Sequence, residues 1–354
     1  MSVITLTSIS CKKNDSAPPP IAPTVTTAVL TNITTSGATS GGTIVSDGGA
    51  TVTKSGIVWS KTNATPTLTD SVIAGTTSTG PFTTTITGLD FNTAYYIRAY
   101  ATNSVGTGYG SVLTLNTTND TTKVRFTYNG QEVVYGIVIS STTGKKWLDR
   151  NMGAKRAATA FDDYQAYGDL FQWGRPADGH QLINWTSSTV GTAVNGMTNV
   201  VATSDTPGHS NFIDATAQIH NDWRDDENKN RWNTTPQGPC PAGWHVPVTS
   251  EWQAETSNST NGTATSGGIT NRNTAYGLLK LTSAGCRTGF ASSGLYNAGE
   301  VRKSGDLGYY WSSSPRLAPA FLSFTSILLT FDISTAQTST DLRSNGFCVR
   351  CIKN

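Results

Sequence analysis

The stretch PCPAGWHVPVTSEW, Pro239 to Trp252, decides how the second half of the chain is read. Within it, Thr249 offers a hydroxyl to cap the free amides of a helix over SEWQAETS. Two distant stretches have the same mixture of aromatic, glycine, cysteine and arginine residues: GYYWSSS (Gly308 to Ser314) and NGFCVRCI (Asn345 to Ile352). Around them, patterning predicts strands at Val133 to Ser140, Lys146 to Leu148, Leu278 to Leu281, Tyr309 to Ser312, Phe321 to Phe331 and Gly346 to Ile352. Tyr164, Tyr167, Leu170 and Phe171 recur at helical spacing and predict a helix over Asp162 to Trp173. Asn195 to Asn233 has no clear period and reads as a long loop excursion.

A chain of 354 residues is long enough for about two domains. Its net charge of +2 gives no electrostatic case for binding nucleic acid or an anionic membrane surface. Charged residues are 14% of the chain, against roughly 25% in typical soluble domains, and Thr, Ser, Gly and Asn take their place. That composition suits β-rich extracellular modules. No apolar run reaches the roughly 18 residues of a membrane-spanning helix.

Met1 to Ser10 is apolar to small and runs into Cys11, then Lys12, Lys13, Asn14 and Asp15. This resembles the end of a bacterial lipoprotein signal (residues 1–11) with Cys11 as the lipid-bearing residue, and implies anchoring at the outer membrane or cell surface. Residues 12–23 contain Pro18, Pro19, Pro20 and Pro23 and read as a semi-rigid tether. Residues 24–118 alternate apolar and polar positions between glycine-rich turns, with Asp47-Gly48-Gly49 reading as a hairpin turn. On one strand Tyr95, Ile97, Ala99 and Ala101 share a face, and Tyr96, Arg98 and Tyr100 the other. The segment LDFNTAYYIRAYATNSVG is similar to the fibronectin type III pattern. The likeness implies an all-β sandwich in which Tyr95 bonds its hydroxyl back to the backbone.

Residues 119–354 hold eight of the nine tryptophans and four of the five cysteines. KKWLDRNMGA, YGDLFQWGRPADGH, PCPAGWHVPVTSEW, LKLTSAGCR, GYYWSSS and GFCVRCI follow one another in an order that resembles the Fibrobacter succinogenes major paralogous (FISUMP) domain of Bacteroidetes and Fibrobacter surface lipoproteins. The resemblance implies an α+β, C-type-lectin-like fold, with two helices beside a small antiparallel sheet whose first and last strands pair. Cys348 and Cys351 stand three apart on an expected strand, about 10 Å apart on opposite faces, so neither can bond the other. Since Cys240 and Cys351 occupy motifs of that family, the resemblance pairs those two, and leaves Cys286 with Cys348. A zinc site is the rival use of these thiols, but no second close pair has metal-ligand spacing.

Polar density concentrates in Arg175, Asp178, His180, Asp222, Arg224, Asp225, Asp226, Glu227 and Arg231, interleaved with Trp173, Trp185, Trp223 and Trp232. Aromatic faces beside carboxylates and arginines suit sugar recognition. Trp173, Trp244, Trp252 and Trp311 are expected in the core, whereas Trp223 and Trp232 stand in the loop-like NDWRDDENKNRW, with exposure and burial both open. The ligand-binding candidates are therefore Trp223, Trp232, Arg224, Asp222, Asp225, Arg175, Asp178 and His180. No catalytic residue, metal ligand or cofactor is assigned. Calcium on Asp222, Asp225, Asp226 and Glu227 is a minor alternative to a solvated acidic turn, because the spacing fits no EF-hand loop. His245 reads as a packed or hydrogen-bonded core residue. The expected role is a non-catalytic adhesion or binding lipoprotein taking an extracellular glycan or protein ligand. The alternatives are a structural cell-envelope protein and, third, an enzyme similar to sulfatase-modifying factors, which VPVTSEW and SNGFCVRC also resemble.

Overall fold

The computed structural model describes residues 18–216, 222–224, 231–232, 238–256, 267–292, 295–316 and 325–354. Cys11, Asp225, Asp226 and Glu227 lie outside the described residues, as do Phe321 to Phe324 of one expected strand. The described chain is mostly β-sheet with two α-helices, and divides into compact units at Thr121/Thr122.

In the first unit β1 (Thr24–Thr27), β2 (Ala38–Ser46) and β5 (Gly80–Ile86) form one antiparallel sheet. The other contains β3 (Lys54–Ser60), β4 (Ser71–Ala74), β6 (Ala94–Thr102), β7 (Thr107–Tyr109) and β8 (Leu113–Asn116). Strand alternation builds their common core. On β6, Tyr95, Ile97, Ala99 and Ala101 are all buried and meet Ile44, Phe82 and Ile86 of the facing sheet. The hydroxyl of Tyr95 accepts from the Asp90 amide at 2.9 Å, the backbone bond expected of it. The Asp47-Gly48-Gly49 turn is not a hairpin. It carries the chain from β2 in one sheet to β3 in the other, which pairs with β4 and β6 instead. Gly48 sits at φ 73°, where a Cβ would meet the Ile21 carbonyl oxygen.

The second unit is organised by a five-stranded antiparallel sheet that brings its two ends together. Its order is β17 (Trp244–His245), β24 (Ile352–Lys353), β11 (Lys146–Leu148), β10 (Gln131–Ile139), β9 (Lys123–Tyr128). Beside it lie a four-stranded sheet of β12 (Phe171–Gln172), β23 (Gly346–Phe347), β18 (Cys286–Arg287) and β19 (Val301–Arg302), and a three-stranded sheet of β20 (Gly308–Pro315), β21 (Thr325–Phe331) and β22 (Ala336–Leu342). Short pairs complete it: β13 (Ile183–Trp185) with β14 (Gly191–Ala193), and β15 (Met197–Thr198) with β16 (Phe212–Ile213). The last pair interrupts what the sequence presents as a featureless excursion.

Three expected elements differ. Over 162–173 there is only a 3-10 turn, Tyr164–Ala166, followed by β12. Gly168 breaks the helix at φ 72°, where a Cβ would meet the Met152 carbonyl oxygen. These apolar side chains then serve two clusters: Tyr167 and Leu170 in one, Phe171 in the other. The expected strand at Leu278 to Leu281 is instead the end of α2 (Arg272–Leu279). Asn271 caps it by accepting from the Asn273 and Thr274 amides, and Lys280 closes it in the left-handed region at φ 57°. The run Gly346 to Ile352 is two strands in two sheets, β23 and β24, with Cys348 to Cys351 crossing between them.

The first helix, α1 (Thr249–Glu255), starts where the sequence puts it, but Thr249 does not cap it. The Glu251 carboxylate does so, accepting from the Val248 amide at 3.0 Å and from His245 Nε2 at 2.9 Å. Trp173, Trp244, Trp252 and Trp311 are buried as expected.

Cys240 and Cys351 are bonded, closing a separation of 111 residues. Cys286 and Cys348 are not bonded, which corrects the second expected pair. Arg287 stands opposite Gly346, so Phe347, rather than Cys348, falls across from Cys286. Cys348 points to the other side, where its thiol donates to the Tyr167 carbonyl oxygen.

Between the two halves of that crossing Arg350 is fully buried. Its guanidinium donates to Asn151 Oδ1 twice (3.1 and 2.8 Å), to the Leu148 oxygen (2.8 Å) and to the Leu279 and Lys280 oxygens (2.7 and 3.0 Å). Arg350→Met leaves those acceptors unmatched and is expected to cost about 3–5 kcal/mol, read by urea unfolding with tryptophan fluorescence. Reducing the Cys240–Cys351 bond is expected to cost about 2–4 kcal/mol in the same assay. A change below about 1 kcal/mol in either case contradicts these roles.

Candidate functional site

The sequence candidates do come together, but as a buried brace. Arg175 is fully buried, with Nε to Asp178 at 2.8 Å and its other groups on Gln172, Asn211 and His209 oxygens at 2.9 Å. Asp178 also receives His180 Nδ1 at 2.7 Å, while His180 Nε2 accepts from the Gln172 amide at 3.1 Å. Burial raises Asp178, but the bonds from His180 and Arg175 outweigh it and hold the carboxyl below its ordinary range. Burial drives His180 down to about 4, against the pull of Asp178. Asp222 is likewise buried, with Arg231 at 3.1 Å and Arg343 at 3.5 Å, so it is not available as a calcium ligand. No group of three metal-binding side chains occurs among the described residues. Arg224 pairs with Asp205.

Trp223 and Trp232 are core residues, which corrects their candidacy as exposed stacking platforms. Trp223 is 0% exposed, donates from Nε1 to the Trp173 oxygen at 2.7 Å, and has the Arg231 guanidinium 4.7 Å above its ring. Trp232 is 5% exposed and packs 5.8 Å from Trp173. The physical reason is the buried cations: Arg175 and Arg231 lie over the Trp223 ring and Arg343 over Trp173, against which Trp232 packs, with Asp222 as the carboxylate between Arg231 and Arg343. An edge of Trp232 reaches a cleft of about 280 Å³ beside Gly174 and Asp205.

A more complete cleft, about 320 Å³, opens elsewhere in the second unit. Strand alternation assembles it. Cys286 stands opposite Arg302 in the β18–β19 hairpin, and both side chains line the cleft; Arg287 points inward, where it is buried and donates to the His180 oxygen at 3.0 Å. Phe347 of β23 forms the floor, with Tyr309 of β20 stacked on it at 5.0 Å and 16°. The hairpin loop adds Phe290 and Tyr296, edge to face at 5.5 Å. Thr288 holds that loop, donating from Oγ1 to the Asn297 oxygen at 2.6 Å. Polar groups converge from the rim. Asp341 Oδ1 accepts from Asn345 Nδ2 at 2.8 Å and from the Leu342 amide at 2.7 Å, and burial raises its carboxyl in spite of those bonds. Burial also pushes the Cys286 thiol up to about 12.

None of these cleft residues is among the ligand-binding candidates read from the sequence, where Cys286 is expected only in a disulfide. The available signal was TGFASSGLYNAGEV, Thr288 to Val301: aromatics set in Ser, Gly and Asn, the composition of adaptable binding loops. Asp169 is a second perturbed carboxyl, raised by burial to about 7, but it lies closed under Tyr128 (2.7 Å) rather than in this cleft.

No family model and no curated protein matches the chain. Among solved structures it is similar to a short form of the sensor domain of the anti-sigma factor RsgI4 from Pseudobacteroides cellulosolvens, over 28% of this chain and 98% of that one, at 15% identity and TM-score 0.22. A solution structure of the same sensor domain is similar over 31% and 87%, at 17% identity and TM-score 0.22. Domains A168-A170 from titin are similar over 28% of this chain and 32% of that one, at 20% identity and TM-score 0.21. At these scores the likenesses carry no argument about fold or role.

The His180 ring is expected to stay neutral from pH 8 to below 5 and to titrate near 4, read by NMR of its ring protons. Because its folded value lies below that of the unfolded chain, the stability it contributes is present above pH ~6.5 and lost as pH falls towards 4, on the order of 3 kcal/mol. A midpoint near 6.5 contradicts the burial.

Proposed function

We propose that the chain is a non-catalytic binding protein of the cell surface, whose second unit holds an extracellular glycan in the cleft of Tyr309, Phe290 and Tyr296. The observation that carries the reading is the cleft itself: apolar ring surface on its floor and loop, with Asp341, Asn345, Arg302 and Lys303 at its rim. Sugars fit such a lining because their C–H faces pack on aromatic rings while carboxylates and amides take hydroxyls. The C-type-lectin-like and FISUMP reading of residues 119–354 is supported by the pairing of β11 near the unit's start with β24 at its end, and by two helices in the unit, of which α1 stacks Trp252 on Trp147 of β11 at 4.8 Å. Two facing sheets and the Tyr95–Asp90 bond support a fibronectin type III-like spacer. Anchoring through a lipid on Cys11 completes the proposal.

Against a catalytic use, burial pushes both free thiols, Cys286 and Cys348, well above the ordinary thiol range, which disfavours the thiolate that nucleophilic or copper chemistry needs. On a glycan array the full chain is expected to bind, and Tyr309→Ala to weaken binding about tenfold or more. Trp223→Ala is expected to lower thermal stability instead. Undiminished binding by Tyr309→Ala and Phe290→Ala contradicts the cleft assignment, and a blank array favours a structural envelope role.

A further inference from the structure

The buried arginines of the second unit are hydrogen-bonded to the protein: Arg175 through four bonds, Arg287 through three, Arg350 through five. Arg302 is different. Its side chain is only 28% exposed, yet its guanidinium has no hydrogen-bond acceptor among the described residues; it meets Glu300 at 4.0 Å and lies 4.4 Å over the Tyr296 ring. A flat guanidinium resting on an aromatic face, with its N–H edge unused, is set up to take a planar or tetrahedral anion through paired bonds. Lys303 follows directly, exposed, in the left-handed region at φ 62°. Holding a lysine there costs backbone energy, and the conformation sets two cations side by side on the same rim. In the cleft lining these two face a single carboxyl, Asp341, whose Oδ1 is already occupied.

Resting on the glycan reading above, we infer that the ligand is an anionic saccharide, with its ring on Tyr309 and its carboxylate or sulfate ester on Arg302 and Lys303. Asp341 then serves a hydroxyl through its remaining oxygen. Uronic acid residues and sulfated sugars share the anion chemistry, and the experiment separates them.

Calorimetric titration of the full chain compares three probes: trigalacturonate, a sulfated galactose trisaccharide and neutral galactotriose. At least one charged probe is expected to bind about tenfold to a hundredfold tighter than the neutral one, and the charged probe that does so identifies the anion. The gap is expected to shrink between about 50 and 500 mM salt, since the anion and the rim cations are partly exposed. The double variant Arg302→Gln, Lys303→Gln is expected to remove the preference, with unchanged tryptophan fluorescence reporting an intact fold. Equal affinity for all three probes, or a preference that survives the double variant, overturns the anion assignment and leaves the glycan reading standing. Binding by none of the three overturns both.

Discussion

Burying Arg350 takes a full positive charge out of water, a cost of several kcal/mol unless every N–H finds an acceptor. Among the described residues it has no carboxylate within 4 Å, and its five N–H groups go to main-chain oxygens and to Asn151. Those acceptors come from the end of β11, the C-terminus of α2 and the turn after β11. One of them, the Leu279 oxygen, is a last-turn carbonyl of α2, where the helix dipole already favours a cation, and the Lys280 oxygen belongs to the residue that closes the helix. The Cys351 sulfur, one residue away, is bonded to Cys240 and so ties the same crossing to β17. The chain can leave one sheet at Phe347 and enter another at Ile352 only because this crossing is held from both sides. The other sheets are placed relative to it.

That frame orders the motif residues by face. In GYYWSSS, Tyr310 enters the core beside Trp252 while its neighbour Tyr309 turns to the cleft. In GFCVRC, Cys348 packs inward and Phe347 floors the cleft. From the sequence, Trp311 of the first motif is expected only in the core and the cysteines of the second only in disulfides. Alternate residues of the same strands instead build the frame and the proposed site together, so the frame's rigidity sets the cleft's shape.

What the sequence made legible follows period and spacing. The alternation on β6 gave its buried face, and Lys146 to Leu148 is a strand as patterning requires. The Cys240–Cys351 bond followed from the family likeness. The failures have physical causes. A helical spacing over Tyr164 to Phe171 lost to Gly168 and to two clusters competing for the same aromatics. A cap at Asn271 outweighed the strand-like Leu278 to Leu281. Trp223 and Trp232 sit in a charged, loop-like segment, and local sequence does not reveal that the charges are buried arginines needing cover. The cleft joins residues 286 to 347 through register, which no single window contains.

The central claim is that this register-built cleft, rather than the Trp223 region, is where ligand binds. Hydrogen exchange of the full chain, with and without a saturating saccharide identified by array, tests it most directly. Slowed exchange confined to Cys286 to Lys303, the neighbourhood of Tyr309, and Asp341 to Cys348 is the predicted result. Slowing centred on Trp173 to Arg175 and Asp222 to Arg224, with the hairpin unchanged, would contradict it.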